Sequence, residues 1–313
     1  MKILVTGAAG FIGSHTAEGL KALGHDVTGI DNFSDYYDIK LKKTNEQDLL
    51  QQGIKIINAD LSAINFPKSI PTDFDYIFHL AAQPGNSQWV TFDEYLENNF
   101  TATYHLLEFA LRNKNLKLFV NISTSSVYGL EATYPETFAP QPASYYGVTK
   151  LAAEQLVLRY ARMDILKACS LRLYSVYGPR ERPDKLYTKL ISSILLNKEF
   201  PLFAGSEKHL RSFTYVGDIL KGIVSVIDKE KICNGEVFNL GTEIEHTTQY
   251  GIDCVKEILQ KEIIIKKIPG RPGDQLRTKA DINKARTLLD YDPATSLKEG
   301  LKEQVLWCKK YFL

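Results

Sequence analysis

Short apolar runs alternate with longer amphipathic stretches from the start of the chain. The runs at Lys2–Thr6, Asp26–Ile30, Ile54–Asn58, Tyr76–Leu80, Leu118–Ile122, Ala168–Leu173 and Val237–Leu240 predict strands. Helical periodicity falls between most of them, as in Ile12–Leu23 and Tyr146–Arg162. Strands apolar on both faces and separated by helices predict a parallel sheet covered on both sides, a doubly wound α/β domain. After Tyr174 the pattern is broken by Pro179, Pro183, Pro201 and Gly205. The expected division is therefore a first domain over residues 1–174, with a return segment at about 214–241, and a smaller region from 175–213 and 242–313. Phe92–Arg112 and Ser144–Arg162 read as long helices, and Tyr36-Tyr37 and Tyr145-Tyr146 read as packing aromatics.

Composition narrows this picture mainly by exclusion. The 313 residues carry a formal charge of +1, which argues against nucleic-acid or membrane-surface binding driven by bulk charge. The cysteines, Cys169, Cys233, Cys254 and Cys308, lie far apart without a CxxC pair, as expected in a reducing cytoplasm. The six histidines form no HExxH motif, so no metal site is expected. The N-terminal segment leads directly into a strand and a glycine turn, so no signal peptide or membrane anchor is expected.

The first chemical signal is Gly7-Ala8-Ala9-Gly10-Phe11-Ile12-Gly13, a GxxGxxG turn between the first strand and a helix. Glycines there let the backbone approach a pyrophosphate at the helix N-terminus. Asp31, at the end of the second strand, is placed to accept hydrogen bonds from the adenosine ribose and to repel a 2′-phosphate. The pattern predicts NAD binding. A plain turn cap with Asn32 is the alternative for Asp31. Asp60-Leu61, after the third strand, either flanks the adenine or forms an ordinary turn.

The second signal is Tyr146-Gly147-Val148-Thr149-Lys150, preceded by Ser144 as an N-cap. Phenol and ammonium fall one turn apart on one helix face, and the cation is expected to favour phenolate, producing a base near neutrality. A solvated helix face is the bland alternative. Against it stands the hydroxyl-rich segment Ser123-Thr124-Ser125-Ser126-Val127-Tyr128-Gly129 after the fifth strand. Doubly wound sheets place their ligands at such strand ends.

In these residues the chain resembles an extended short-chain dehydrogenase/reductase of the sugar-nucleotide epimerase and dehydratase group, with a Rossmann-type fold. The resemblance runs over essentially the full length. It rests also on Leu80-Ala81-Ala82-Gln83, Tyr177-Gly178-Pro179-Arg180, Arg211-Ser212-Phe213 and Arg271-Pro272-Gly273-Asp274. It implies Thr124, Tyr146 and Lys150 as catalytic residues, and a cofactor set of Gly7, Gly10, Phe11, Ile12, Gly13, Asp31, Asn32, Asp60, Leu61, Leu80, Ala81, Ala82, Gln83, Asn99, Tyr146 and Lys150. It implies substrate contacts from Thr124, Ser125, Ser126, Tyr146, Ser175, Arg182, Arg211, Arg271 and Asp274. Arg211 and Arg271 would hold the nucleotide pyrophosphate, which suits a forked guanidinium. A homodimer through the two long helices is implied by resemblance alone.

Members of that group oxidise the sugar at C4, and neighbouring groups decide the fate of the ketone. Dehydratases carry Thr-Asp-Glu in the loop and glucuronate decarboxylases resemble Thr-Ser-Glu, whereas Thr124-Ser125-Ser126 offers no carboxylate. Return of hydride to the turned ketone, a 4-epimerisation, is then the expected outcome. The segment Asp31–Lys42 is very similar to that of UDP-glucuronate 4-epimerases, and Ser175 with Arg182 matches their hydroxyl and guanidinium positions. Their Arg after Ala-Ala-Gln is absent from Pro84-Gly85-Asn86-Ser87. UDP-glucuronate is the expected substrate. UDP-glucose or UDP-N-acetylglucosamine epimerisation, glucuronate decarboxylation and a non-catalytic NAD sensor remain open on the residues alone.

Overall fold

The computed structural model describes residues 1–63, 70–85, 87, 89–270 and 275–313. All seven predicted strands form: β1 (Lys2–Thr6), β2 (Asp26–Asp31), β3 (Lys55–Asn58), β4 (Tyr76–His79), β5 (Leu118–Thr124), β6 (Ala168–Leu173) and β7 (Val237–Leu240). They make one sheet in the order β7-β6-β5-β4-β1-β2-β3, with every pairing parallel. Chain direction over the sheet reverses between β1 and β4. The turns after β1, β2, β4 and β5 all emerge at one edge, where this topology opens a crevice.

Alternate strand residues face opposite sides, which is why the runs read as apolar throughout. Ile3, Val5, Tyr76, Phe78, Val120 and Leu171 pack on one face with Ala17 and Leu20 of α1 (Phe11–Ala22). After α1, α2 (Ile39–Gln51) links β2 to β3. Leu4, Ile77 and Phe119 face the other way, against Leu106 and Leu107 of α3 (Ala102–Ala110) and Val157 of α4 (Tyr145–Arg162).

Later segments build a separate apolar cluster. It joins Leu190 and Ile194 of α5 (Leu186–Leu195) to Ile252 and Val255 of α6 (Thr248–Leu259) and Leu301 and Val305 of α7 (Leu297–Phe312). Ser175–Tyr177 pairs in parallel with Phe213–Tyr215 and carries the chain between the two regions. No helix among the described residues is long and apolar enough to cross a membrane.

The stretch read as one long helix over Phe92–Arg112 differs. A short α-helix (Phe92–Tyr95) passes into a π-helical segment (Leu96–Thr101) before α3. The widened turn brings Asn99 inside, where its amide donates to Thr149 Oγ1 (3.1 Å) and its carbonyl oxygen accepts from the Gln83 N–H (2.8 Å).

One buried ion pair holds α4 on the sheet. Glu154 accepts from Nε and Nη2 of Arg172 on β6 at 3.0 and 2.6 Å, with both side chains almost fully enclosed. Arg172 Nη1 donates to the Tyr128 hydroxyl (2.8 Å), which donates to Asn239 Oδ1 on β7 (2.9 Å). Removing one member strands a buried charge, whereas an apolar replacement of both does not. Glu154→Gln should therefore lower the unfolding free energy by roughly 3–5 kcal/mol in urea denaturation. The paired Glu154→Leu, Arg172→Met variant should lose much less; equal losses in both would contradict this account.

Candidate active site

The glycine turn brings β1 and α1 together so closely that side chains are excluded. Gly7 has φ of +68°, and a Cβ there would lie 2.8 Å from the Ala81 nitrogen. A Cβ on Gly13 would lie 2.0 Å from the Gly7 oxygen. The turn, Asp31 and the segment after β4 line a cavity of about 560 Å³. Gly7, Gly10, Phe11, Ile12, Gly13, Asn32, Asp60, Leu61, Leu80, Ala81, Ala82 and Gln83 all reach its wall.

Asp31 caps its own turn and also bonds the glycine turn. Oδ1 accepts from the Phe33 N–H (2.8 Å) as a turn cap, and Oδ2 accepts from the Ala9 N–H (3.0 Å) of the glycine turn. A carboxylate has about four acceptor positions, so capacity remains for a ribose diol. Asp60 accepts from the Ser62 N–H (2.8 Å) and lines the cavity as well. Burial raises its pKa, but the bonds from Ser62 and Asn32 outweigh that and hold it below the ordinary value.

Asn99 departs from expectation. Its side chain is spent on Gln83 and Thr149, and it does not reach the cavity wall. It shapes the cofactor loop from behind. Beside it, Thr103 donates to the Asn99 carbonyl (2.6 Å) and Thr6 accepts from the Ala81 N–H (3.2 Å). His79 bridges these two hydroxyls at 2.9 and 2.8 Å, an arrangement satisfied by the Nε2–H tautomer. Burial, with the Lys150 charge adding to it, pushes the His79 pKa down to about 3 and keeps it neutral.

The N-cap is as predicted: Ser144 Oγ accepts from the Gly147 N–H (3.1 Å). Gly147 has no room for a side chain, since a Cβ there would lie 2.7 Å from the Ser126 oxygen. That contact presses α4 against the loop after β5 and brings Tyr146 to Thr124. Thr124 in turn caps its own loop, accepting from the Ser126 N–H at 3.1 Å. Thr124, Ser125, Ser126, Tyr146 and Lys150 all line the cavity.

The electrostatics differ from the simple phenol–ammonium expectation. Burial raises the Tyr146 pKa; a hydrogen bond from Thr124, the Arg182 charge and the Gly85 backbone pull it back only in part. Lys150 is pushed down to about 8 by burial, against the opposing charge of Glu154 one turn on. The cation that favours the Tyr146 phenolate is Arg182, while burial lowers the lysine's pKa towards neutrality without reaching it.

Arg182, in the charged run Arg180-Glu181-Arg182 between Pro179 and Pro183, is enclosed. It is buried, lines the cavity with Ser175 and Arg211, and forks onto Asp184 through Nε (2.9 Å) and Nη2 (2.7 Å). Its guanidinium carbon lies 5.2 Å from the centre of the Tyr36 ring. Tyr36 and Tyr37 also line the cavity, so the reading of that pair as packing alone does not hold. Sequence reasoning missed these tyrosines, Asp184 and Gln275, whose Nε2 donates to the Ser125 and Gly129 carbonyls (3.3 and 3.1 Å). The Arg-Pro-Asp spacing was the available signal for Asp184. Arg271 and Asp274 lie outside the described residues.

A parallel sheet with this glycine turn, and a buried hydroxyl, phenol and amine at the same edge, define the short-chain dehydrogenase/reductase class. The chain belongs to the NAD dependent epimerase/dehydratase family, whose model matches residues 3–241. It is 40% identical over 325 residues to a Bacillus subtilis protein described as an uncharacterised UDP-glucose epimerase, covering 100% of this chain and 99% of that one. It is 34% identical over 337 residues to UDP-glucuronate 4-epimerase 2 of Arabidopsis thaliana, covering 100% of this chain and 76% of the relative. The structure of Bacillus cereus UDP-glucuronic acid 4-epimerase with UDP-glucuronic acid and NAD matches with a TM-score of 0.91 at 38% identity, covering 99% of this chain and 100% of that chain.

A methyl group at Gly13 must push the turn and α1 apart, so Gly13→Ala should weaken NAD binding about tenfold or more by calorimetry. Unchanged affinity would contradict the close approach. Arg182→Leu removes a positive charge that favours phenolate, so the rising limb of kcat/KM should move to higher pH, whereas Arg182→Lys should hold it near its original place. A limb that stays put in the leucine variant would remove Arg182 from this role.

Proposed function

We propose that the protein is an NAD-dependent 4-epimerase that interconverts UDP-glucuronate and UDP-galacturonate. The observation that carries the acid-sugar reading is the buried guanidinium of Arg182 beside Tyr146, with Ser175 on the same cavity wall. A hydroxyl and a guanidinium make a receptor for a C6 carboxylate.

The residues present fit NAD. The glycine turn leaves a cradle that a Cβ would fill, and Gln83 Nε2 is buried in the cavity wall without a hydrogen-bond partner among the described residues. Gly7, Gly10 and Gly13 would meet the pyrophosphate, Asp31 the adenosine ribose, and Lys150 the nicotinamide ribose. Bound NAD supplies a reversible hydride acceptor at sugar C4.

The protein's own groups handle the proton and the pose. Tyr146, as phenolate, removes the proton of the 4-hydroxyl; Thr124 hydrogen-bonds the same oxygen and steadies the alkoxide as it forms. Arg182 and Thr124 lower the cost of the phenolate, against the burial that raises it. The ketone then turns in the cavity to offer its other face, and Tyr146 returns its proton as hydride comes back. Ser125 and Ser126 supply no acid or base for elimination. A 4-keto glucuronate is a β-keto acid prone to losing CO2, and holding its carboxylate out of line with the ketone suppresses that loss. Ser175 and Arg182 are the residues for this restraint.

We place the nucleotide in the region formed by residues 175–213 and 242–313, with Arg211 on the pyrophosphate and residues 1–174 as the NAD-binding domain. We also take the enzyme to be a cytoplasmic homodimer. Support for the dimer comes from the exposed apolar side chains Leu96, Tyr104, Tyr145 and Val148 along the π-helical segment, α3 and α4.

Incubation with NAD and, separately, UDP-glucuronate, UDP-glucose and UDP-N-acetylglucosamine, read by proton NMR, tests the assignment. UDP-galacturonate should form, and Tyr146→Phe should abolish it. A UDP-pentose product would overturn the loop argument. Conversion of neutral sugars alone would keep the chemistry and remove the carboxylate receptor.

A further inference from the structure

We propose that Asp184 and Tyr36 are positioning residues that aim one edge of the Arg182 guanidinium at the sugar carboxylate. The inference rests on the acid-sugar reading above and assigns two residues to it. A guanidinium offers two bidentate edges, one made by Nε and Nη2 and the other by Nη1 and Nη2. Asp184 fills the first, through bonds of 2.9 and 2.7 Å. The second edge lies on the side of Gly85: a Cβ built there would lie 3.4 Å from Nη2 and 3.8 Å from Nη1, with the Lys185 ammonium 3.5 Å from the same point.

Gly85 marks the catalytic side of the cavity. Its backbone bonds Tyr146, and its carbonyl accepts from the Tyr95 hydroxyl at 2.6 Å. Its φ of +75° disfavours a side chain there, and a Cβ would meet the guanidinium and the Lys185 ammonium only at ordinary contact distance. Tyr36, from the segment between β2 and α2, covers the guanidinium face at 5.2 Å from ring centre to guanidinium carbon. One edge and one face are thus held by the protein, and the Nη1–Nη2 edge is the one left for a ligand, with Lys185 as a second cation beside it. Because Asp184 is on the same short loop as Arg182 while Tyr36 comes from the cofactor-side segment, the clamp ties the sugar's acid group to the wall of the NAD site.

The effect should be selective for the acid sugar. In the NAD-loaded protein carrying Tyr146→Phe to block turnover, Asp184→Ala should weaken UDP-glucuronate binding on the order of tenfold by calorimetry. Binding of UDP alone should change little, which reports an intact fold. Tyr36→Leu should act in the same direction and Tyr36→Phe should behave as the parent, since the ring is kept. With Tyr146 restored, Asp184→Ala should release CO2 from UDP-glucuronate. In that side reaction C5–C6 breaks, its electron pair enters the enolate of the C4 ketone, and water protonates C5, while the hydride stays on the cofactor.

Tighter or unchanged acid-sugar binding in Asp184→Ala would overturn the proposal, the tighter case making Asp184 a competitor for the fork. Arg182→Leu separates the two levels. If it weakens UDP-glucuronate binding while Asp184→Ala does not, positioning fails and the receptor stands. If neither variant affects it, the acid-sugar reading itself fails. Should Asp184→Ala not fold, Asp184→Asn and the Tyr36 pair carry the same comparison.

Discussion

A carboxylate and a guanidinium sealed from solvent fix the helix on which the chemistry depends. Glu154 sits one turn beyond Lys150 and two beyond Tyr146, and Arg172 anchors it to β6, the strand next to the sheet edge β7. Burying two charges is costly unless their donors are met, and here Tyr128, itself bonded to Asn239, adds a partner beyond Glu154. The pair therefore does little for net stability compared with an apolar substitute, but it sets where α4 lies. That placement produces the contact of Gly147 with Ser126, the meeting of Tyr146 with Thr124, and the charge that opposes desolvation of Lys150.

The same burial that positions these groups makes them reluctant to ionise. Tyr146 resists becoming phenolate and Lys150 resists staying ammonium, so neither is tuned by its neighbour on the helix alone. The correction comes from another segment of the cavity wall, where the Arg182 charge acts on the phenol. In the proposed reading the same guanidinium would also hold the sugar acid, which would couple specificity to proton transfer, because a carboxylate arriving at Arg182 would offset part of the charge that Tyr146 sees.

Much of this was legible in the chain because it is local. Seven apolar runs became seven strands, and the glycine turn, Asp31, the Ser144 cap and the Tyr146–Lys150 spacing each depend on residues close in sequence. The hidden part depends on distant segments meeting. The π-helical widening that turns Asn99 inward is invisible to a periodicity reading of Phe92–Arg112. Tyr36 looked like packing because its partner lies far along the chain, and the burial of Arg182 cannot be told from a proline-flanked run of charges. The phenol's raised pKa was misjudged for a related reason: spacing reports a neighbour, not the desolvation both groups share.

In the proposed cycle, hydride leaves sugar C4 and returns to the same carbon without exchanging with water, and the sugar acid is retained. The most direct measurement gives the NAD-loaded enzyme UDP-glucuronate deuterated at C4 in ordinary water and follows the product by NMR. UDP-galacturonate with its deuterium retained at C4 and no CO2 released is the predicted result. Loss of the label to solvent, or a pentose product, would contradict it.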